Sequence, residues 1–205
     1  MLKRFAIWCI SLSFVLAGCS STRLTSVWAD KGYQGKLGTV LVIGVSENLR
    51  DRRIFEDALV KAFKGAGVKA LSSAAVLPAD HKLDKKSLEE AARKYGVDAV
   101  MITSVVGVEE NEVYYPPTTT YVAPPLYYRD MWSYYPQVYE TYSTPGYTVK
   151  YQNVKLESNL YDAGTGALVW SAASEAFDPA SDIRKFSNAL ASQFVASLRE
   201  AGLIP

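Results

Sequence analysis

The residue types that attack or coordinate most readily are scarce, since the 205-residue chain has one His and two Cys. His81 lies in a polar stretch between Asp80 and Lys82. A general base must sit within hydrogen-bond reach of the group it serves, and nothing near His81 in sequence supplies one, so it reads as a solvated loop side chain. So few His and Cys do not make the ligand set of a zinc site, and no metal is expected. Serine catalysis has no G-x-S-x-G elbow to stand on. The densest carboxylates are Glu109, Glu110 and Glu112, with Asp98 nearby. Glu110 and Glu112 project to one side of an extended chain, but nothing fixes a second carboxylate opposite them, and a solvated strand end is the expectation. Glycines that cradle phosphate follow a strand and open a helix. Gly35 and Gly38 precede a strand-like run, and Gly164 and Gly166 belong to a hairpin turn. No cofactor and no enzymatic activity are expected.

One cysteine has a different chemistry. Lys3 and Arg4 precede an uncharged, mostly apolar run from Phe5 to Ala17. That run is shorter than the ~20 residues a membrane-spanning helix needs, and it fits a secretory signal. Leu16, Ala17, Gly18 and Cys19 have the form of a bacterial lipobox: an aliphatic residue and two small residues for the signal peptidase, then a thiol that takes a diacylglyceryl group. Residues 1–18 are expected to leave as a lipoprotein signal peptide, and Cys19 to be acylated, palmitate being the usual label. Ser20, rather than an acidic residue, favours the outer membrane, with the chain facing the periplasm. Several acyl chains give an effectively permanent anchor. Cys9 would leave with the signal, so no intrachain disulfide is expected. The balance of 22 Lys+Arg against 21 Asp+Glu becomes 20 against 21. No basic footprint for nucleic acid exists on either count.

Residues 19–38 are polar with isolated apolar positions, and read as a tether, packed in part through Val27 and Trp28, with an extended reach on the order of 60 Å. Thr39–Val45 is a continuous β-branched and aliphatic run, the pattern of a strand buried on both faces. Asn48 then caps a helix that aligns Phe55, Leu59 and Phe63. A short strand at 68–71 follows. A second helix is capped by Asp84 or by Ser87 with Glu90, and Gly96 ends it. Residues 97–108 read as another buried strand. Beyond the insert described below, Val149 and Tyr151 alternate, then Val154, Leu156 and Leu160 do so on the opposite parity, which predicts a bulge near Gln152 and Asn153. Asp162–Gly166 forms a hairpin turn. After the return strand, Asp178 and Pro179 start a helix as N-cap and first residue. The predicted class is α/β, with α+β as the alternative: a single mixed sheet with helices packed on it, in the order βαβαβ–insert–ββα, spanning residues 39–205.

The insert, residues 114–147, holds ten of the fourteen Tyr and six of the nine Pro. Tyr114, Tyr115, Tyr121, Tyr127, Tyr128, Trp132, Tyr134, Tyr135, Tyr139 and Tyr142 are the candidate partner-binding residues. Tyr joins a large apolar ring to a polar tip, and Pro keeps a chain extended. Three uses follow: docking an envelope protein, stacking on peptidoglycan or another glycan, or packing on the domain itself.

Several segments together carry a resemblance. The lipobox, the strand 39–45 followed by Phe55-Glu56-Asp57-Ala58-Leu59, and Tyr161-Asp162-Ala163-Gly164-Thr165-Gly166-Ala167-Leu168-Val169-Trp170 resemble an uncharacterised group of bacterial outer-membrane lipoproteins. The last segment is similar to a D-x-x-T-G-x-x-x-W hairpin of envelope lipoproteins. The α/β order resembles the domain of curli-secretion and penicillin-binding-protein-activator lipoproteins. That resemblance implies a domain that binds or positions partners without catalysis. The insert departs from the pattern, so no specific partner is implied.

Overall fold

The computed structural model describes residues 22–35, 37–77, 85–121 and 141–205. The elements are β1 (Thr22–Ala29), β2 (Thr39–Val45), α1 (Leu49–Gly65), β3 (Lys69–Ser72), α2 (Ser73–Val76), α3 (Lys85–Tyr95), β4 (Ala99–Tyr115), β5 (Thr118–Tyr121), β6 (Thr141–Thr144), β7 (Tyr147–Asp162), β8 (Leu168–Phe177) and α4 (Ile183–Glu200). Six strands form one mixed sheet in the order β1-β8-β7-β4-β2-β3, while β5 and β6 pair separately. The expected α/β class and single mixed sheet are therefore present.

The β2, β3 and β4 strands run parallel, with β2 between the other two. Chain order thus reverses direction at β2, and the two crossover helices lie on opposite faces. On one face, α1 and α4 cover Val40, Val42, Met101, Leu160 and Trp170 with Leu59, Phe63, Phe194 and Leu198. On the other, α3 brings Leu88 and Ala92 against Leu41, Ile43 and Val100. Burial on both faces is why β2 reads as an unbroken apolar run. Trp170 is fully buried, its ring 5.4 Å from that of Phe194 in an edge-on contact, and its Nε1 donates to Ser197 Oγ at 3.1 Å.

Four expectations need correction. The segment 19–38 is not simply a tether, because Thr22–Ala29 is an edge strand antiparallel to β8. Thr22 is buried and Leu24 half-buried, whereas Val27 and Trp28 are exposed. Second, β7 has no bulge at Gln152 and Asn153. Its even residues from Val154 to Leu160 face α1 and α4, its odd residues face the other way, and the extra residue sits on β4 between Val105 and Gly107. Third, Asp178 adopts a left-handed conformation (φ 43°, ψ 53°) before a 3-10 turn at Pro179–Asp182, and the N-cap of α4 is Asp182, which accepts from the Lys185 N–H at 3.0 Å. Fourth, Ser87 lies inside α3 rather than at its cap, and Asp84 falls outside the described residues.

Candidate functional site

The open β4–β7 ribbon is the principal candidate. Both strands run far past the sheet: β4 continues to Tyr115 and β7 begins at Tyr147, paired without interruption from Gly107/Lys155 to Tyr115/Tyr147. The 3-10 turn at Pro179–Asp182 meets β7 near Gln152, whose carbonyl accepts from the Asp178 N–H, and β4 is exposed from Val108 to Tyr115. One face carries an aromatic row. The Tyr115 and Tyr147 rings stack at 5.1 Å, Tyr115 and Tyr151 hydroxyls lie 3.3 Å apart, and the Tyr151 ring lies 5.1 Å from Phe177 at the end of β8. The hydrogen bond with Tyr115 is the main reason the Tyr151 phenol titrates above its usual range. Alternation explains the row, because Tyr147, Val149 and Tyr151 point to one side of a strand. Of this row only Tyr115 is among the residues expected to bind; Tyr147, Tyr151 and Phe177 are not. The i, i+4 spacing of Tyr147 and Tyr151 in an alternating segment is the signal that identifies those two; only the hairpin register reveals Phe177.

The other predicted residues are distributed as follows. Tyr114 is exposed near the ribbon's end and covers Gly146, where any Cβ would strike its ring. Tyr121 and Tyr142 lie on the paired strands β5 and β6, opposite Thr141 and Thr120. Tyr127, Tyr128, Trp132, Tyr134, Tyr135 and Tyr139 lie outside the described residues, as do His81 and the Leu16, Ala17, Gly18, Cys19 motif. Glu109, Glu110 and Glu112 are solvated, as expected. Glu109 pairs with Lys155, Glu112 Oε1 sits 2.7 Å from Lys150 Nζ, and Glu110 accepts from Gln152 Nε2 at 3.3 Å.

The D-x-x-T-G-x-x-x-W segment builds structure. Asp162 Oδ1 accepts from the N–H of Gly164 (3.0 Å) and of Thr165 (2.8 Å) and from Thr165 Oγ1 (2.8 Å), and Gly166 takes a φ of 73° that L side chains rarely adopt. The Thr165 N–H is the main cause that holds the Asp162 carboxyl below its usual range. The Trp of the motif is the core Trp170.

A second concavity lies where the chain reverses direction at β2, at the carboxyl end of β2 and beside Ser104, where its parallel pairing with β4 stops, the usual place for ligands in parallel sheets. Gly44, Ser46, Arg52, Phe55, Ser104 and Gln152 are among its walls, and its volume is about 200 Å³. That is below the ~300–1,000 Å³ of ordinary small-molecule pockets. Behind it lies Glu56, whose side chain is fully buried. Its Oε1 accepts from Gly44 N (2.9 Å), Arg52 Nε (3.0 Å) and Ser73 Oγ (2.6 Å). Its Oε2 accepts from Ser72 Oγ (2.6 Å) and Ala74 N (2.8 Å). Desolvation pushes the Glu56 carboxyl up, but the donors at Gly44, Ser72, Ser73 and Ala74 outweigh it and leave the group below its usual range. With both oxygens taken, Glu56 clamps α1 to β2, β3 and α2. Sequence periodicity counted α1 as an apolar stripe and missed this carboxylate. Among the described residues no cluster of His, Cys, Asp and Glu is placed to hold a metal ion, and no helix is long and apolar enough to cross a membrane.

The sheet order and the projecting ribbon thus define a mixed-sheet α/β domain with an elaborated hairpin. No protein-family model matches the chain, and no curated protein matches it. Among solved structures it is similar to the PelC dodecamer from Paraburkholderia phytofirmans, at 15% identity over 90% of this chain and 97% of that one, with a TM-score of 0.42. It is also similar to lipoprotein GNA1162 from Neisseria meningitidis, at 15% identity over 80% of this chain and 96% of that one, with a TM-score of 0.40.

Proposed function

We propose that this chain is a bacterial envelope lipoprotein, acylated at Cys19 and held on the periplasmic side of the outer membrane, whose non-catalytic α/β domain positions an envelope protein through the β4–β7 ribbon. The observation that carries the reading is the row of Tyr147, Tyr115, Tyr151 and Phe177, of which Tyr151 is half-buried and the other three are exposed. Aromatic residues, Tyr among them, are enriched at protein interfaces. The buried carboxylate most suited to chemistry, Glu56, is committed to the fold instead.

The register gives a clean test. Because Tyr115 and Tyr147 are cross-strand partners, residues 116–146 can be replaced by an Asn-Gly turn that suits a two-residue hairpin, and a second variant carries Tyr115→Ser, Tyr147→Ser and Tyr151→Ser on the intact chain. Crosslinking and pull-down from cells should lose the partner that the full chain captures. An unchanged set of partners from the folded Tyr→Ser variant refutes docking through the ribbon, and pelleting of the full chain with purified sacculi would move the ribbon to glycan recognition. Lipidation is checked separately: Cys19→Ser should release the protein from the membrane fraction and abolish palmitate labelling, and persistent labelling would refute the anchor.

A further inference from the structure

We propose that the outer end of the β4–β7 ribbon rests in the interfacial layer of the same leaflet that holds Cys19. This inference rests on the acylation proposed above, and on an end-to-end relation within the sheet. Thr22 opens β1 and is level with Ala176, which is level with Val154, which is level with Val108. β1 is parallel in direction to β7, so the chain before Thr22 leaves the sheet at the end from which the ribbon projects.

The lengths then matter. Only Ser20 and Ser21 separate Cys19 from Thr22. Three Cα steps reach at most about 11 Å. From Val108 to Tyr115 the ribbon extends seven residues further, roughly 23 Å at ~3.3 Å per residue. β1 and β4 are three strand spacings apart, about 14 Å. With the strands upright, the Tyr115–Tyr147 rung passes the lipid attachment point by about 12 Å. It would clear the surface only if the domain leaned more than about 40° toward its β1 edge.

The chemistry of the ribbon changes along its length in the matching sense. One charged pair, Glu109 with Lys155, stands at the body, and the other, Glu112 with Lys150, lies four residues out from Val108, at about the level of the attachment point. The last three rungs, Val113/Val149, Tyr114/Thr148 and Tyr115/Tyr147, carry no charge. From Val113 to Thr148 the sequence has only Arg129, Asp130 and Glu140 as charged residues. Tyr concentrates where membranes meet water. Among the described residues both edges of this two-stranded ribbon are open, and unpaired backbone groups are kept out of the hydrocarbon, so the headgroup region is its place.

The chain provides its own labelling scheme. With Cys9 removed in the signal and Cys19 acylated, one introduced Cys is the sole free thiol. Tyr115→Cys, Tyr147→Cys and, at the opposite end of the sheet, Ala167→Cys are expressed as full chains, given palmitate, and reconstituted into phosphatidylethanolamine–phosphatidylglycerol vesicles. A nitroxide on each thiol then reports collisions with oxygen and with a water-soluble nickel chelate. Labels at 115 and 147 should show a several-fold loss of nickel access relative to 167 and a gain in oxygen access. If the palmitate is present but both ribbon labels are as open to nickel as 167, the membrane placement is overturned and the anchor stands. If no palmitate is incorporated, the anchor fails and this placement fails with it.

Discussion

Replacing Glu56 by Gln removes one charge and converts one of two acceptor oxygens into a donor, at almost unchanged volume. The five donors around Glu56 do not respond alike. With the amide oxygen in the Oε1 position, Gly44, Arg52 and Ser73 keep an acceptor, and the Ser72 hydroxyl can turn to accept from the new NH2. The Ala74 N–H cannot turn, and the 2.8 Å bond it now makes to Oε2 becomes a donor facing a donor. A buried N–H without a partner costs about 1–3 kcal/mol. Arg52, whose side chain is 15% exposed, also loses its carboxylate. Breaking a buried ion pair costs ~3–5 kcal/mol, and the partial access of Arg52 to water places the total near the lower end, about 3 kcal/mol. That is a large share of the ~5–15 kcal/mol by which a domain is usually stable. Urea unfolding followed through Trp170 fluorescence measures it. The pH dependence is the sharper test. Because the folded Glu56 carboxyl lies below its ordinary value, its contribution is complete above the unfolded pKa, about 4.3, and is lost as pH falls through the lowered folded value. The Gln side chain does not titrate there, so the gap between the two proteins should narrow on acidification below about pH 4. A variant within ~0.5 kcal/mol of the parent near neutrality, or a gap that stays constant into acid, would refute the clamp.

Three other perturbations test separate parts of the fold. Gln193 Oε1 accepts from the Leu24 N–H at 3.0 Å and its Nε2 donates to Thr22 O at 2.9 Å, which closes the start of the β1 edge; Gln193→Ala should cost about 1–3 kcal/mol and promote edge-to-edge association, seen as concentration-dependent light scattering. Gly38→Ala would set a methyl 2.6 Å from Asp98 Oδ2, which now accepts from the Thr39 N–H at 2.7 Å; the melting temperature should fall, by an amount equivalent to about 1–2 kcal/mol. Trp170→Ala empties the centre of the core and should cost about 3–5 kcal/mol in denaturant unfolding.

What could be read from sequence tracks what each segment buries. β2 and α4 are covered by neighbours, so Val40–Ile43 and the Phe186, Leu190, Phe194, Leu198 stripe announce themselves by period. β1 does not: as an edge strand it buries Thr22 and half-buries Leu24 and Ala29, while its largest side chains, Trp28 among them, face water. The ribbon beyond Val108 was hidden for a related reason. A pair of strands exposed on both faces needs no apolar alternation, and Glu109–Glu112 resembles a loop. Glu56 was concealed inside an apolar stripe, because its partners come from Gly44, Ser72, Ser73 and Ala74, up to eighteen positions away. The aromatic row was legible as a surplus of Tyr, but its membership depended on the register that brings Tyr151 beside Phe177.

The stem of the ribbon has a consequence for inheritance. At Tyr115 the chain departs, and at Tyr147 it returns one strand spacing away, about 5 Å. The domain therefore imposes no length on what lies between, and gains or losses from Pro116 to Gly146 leave the sheet, both helical layers and the Glu56 clamp undisturbed. Such a joint lets mutation try new tips at little risk to folding. Descendants of this chain should diverge in the hairpin long before they diverge in the body, and a chimera carrying a foreign hairpin on this stem should still fold.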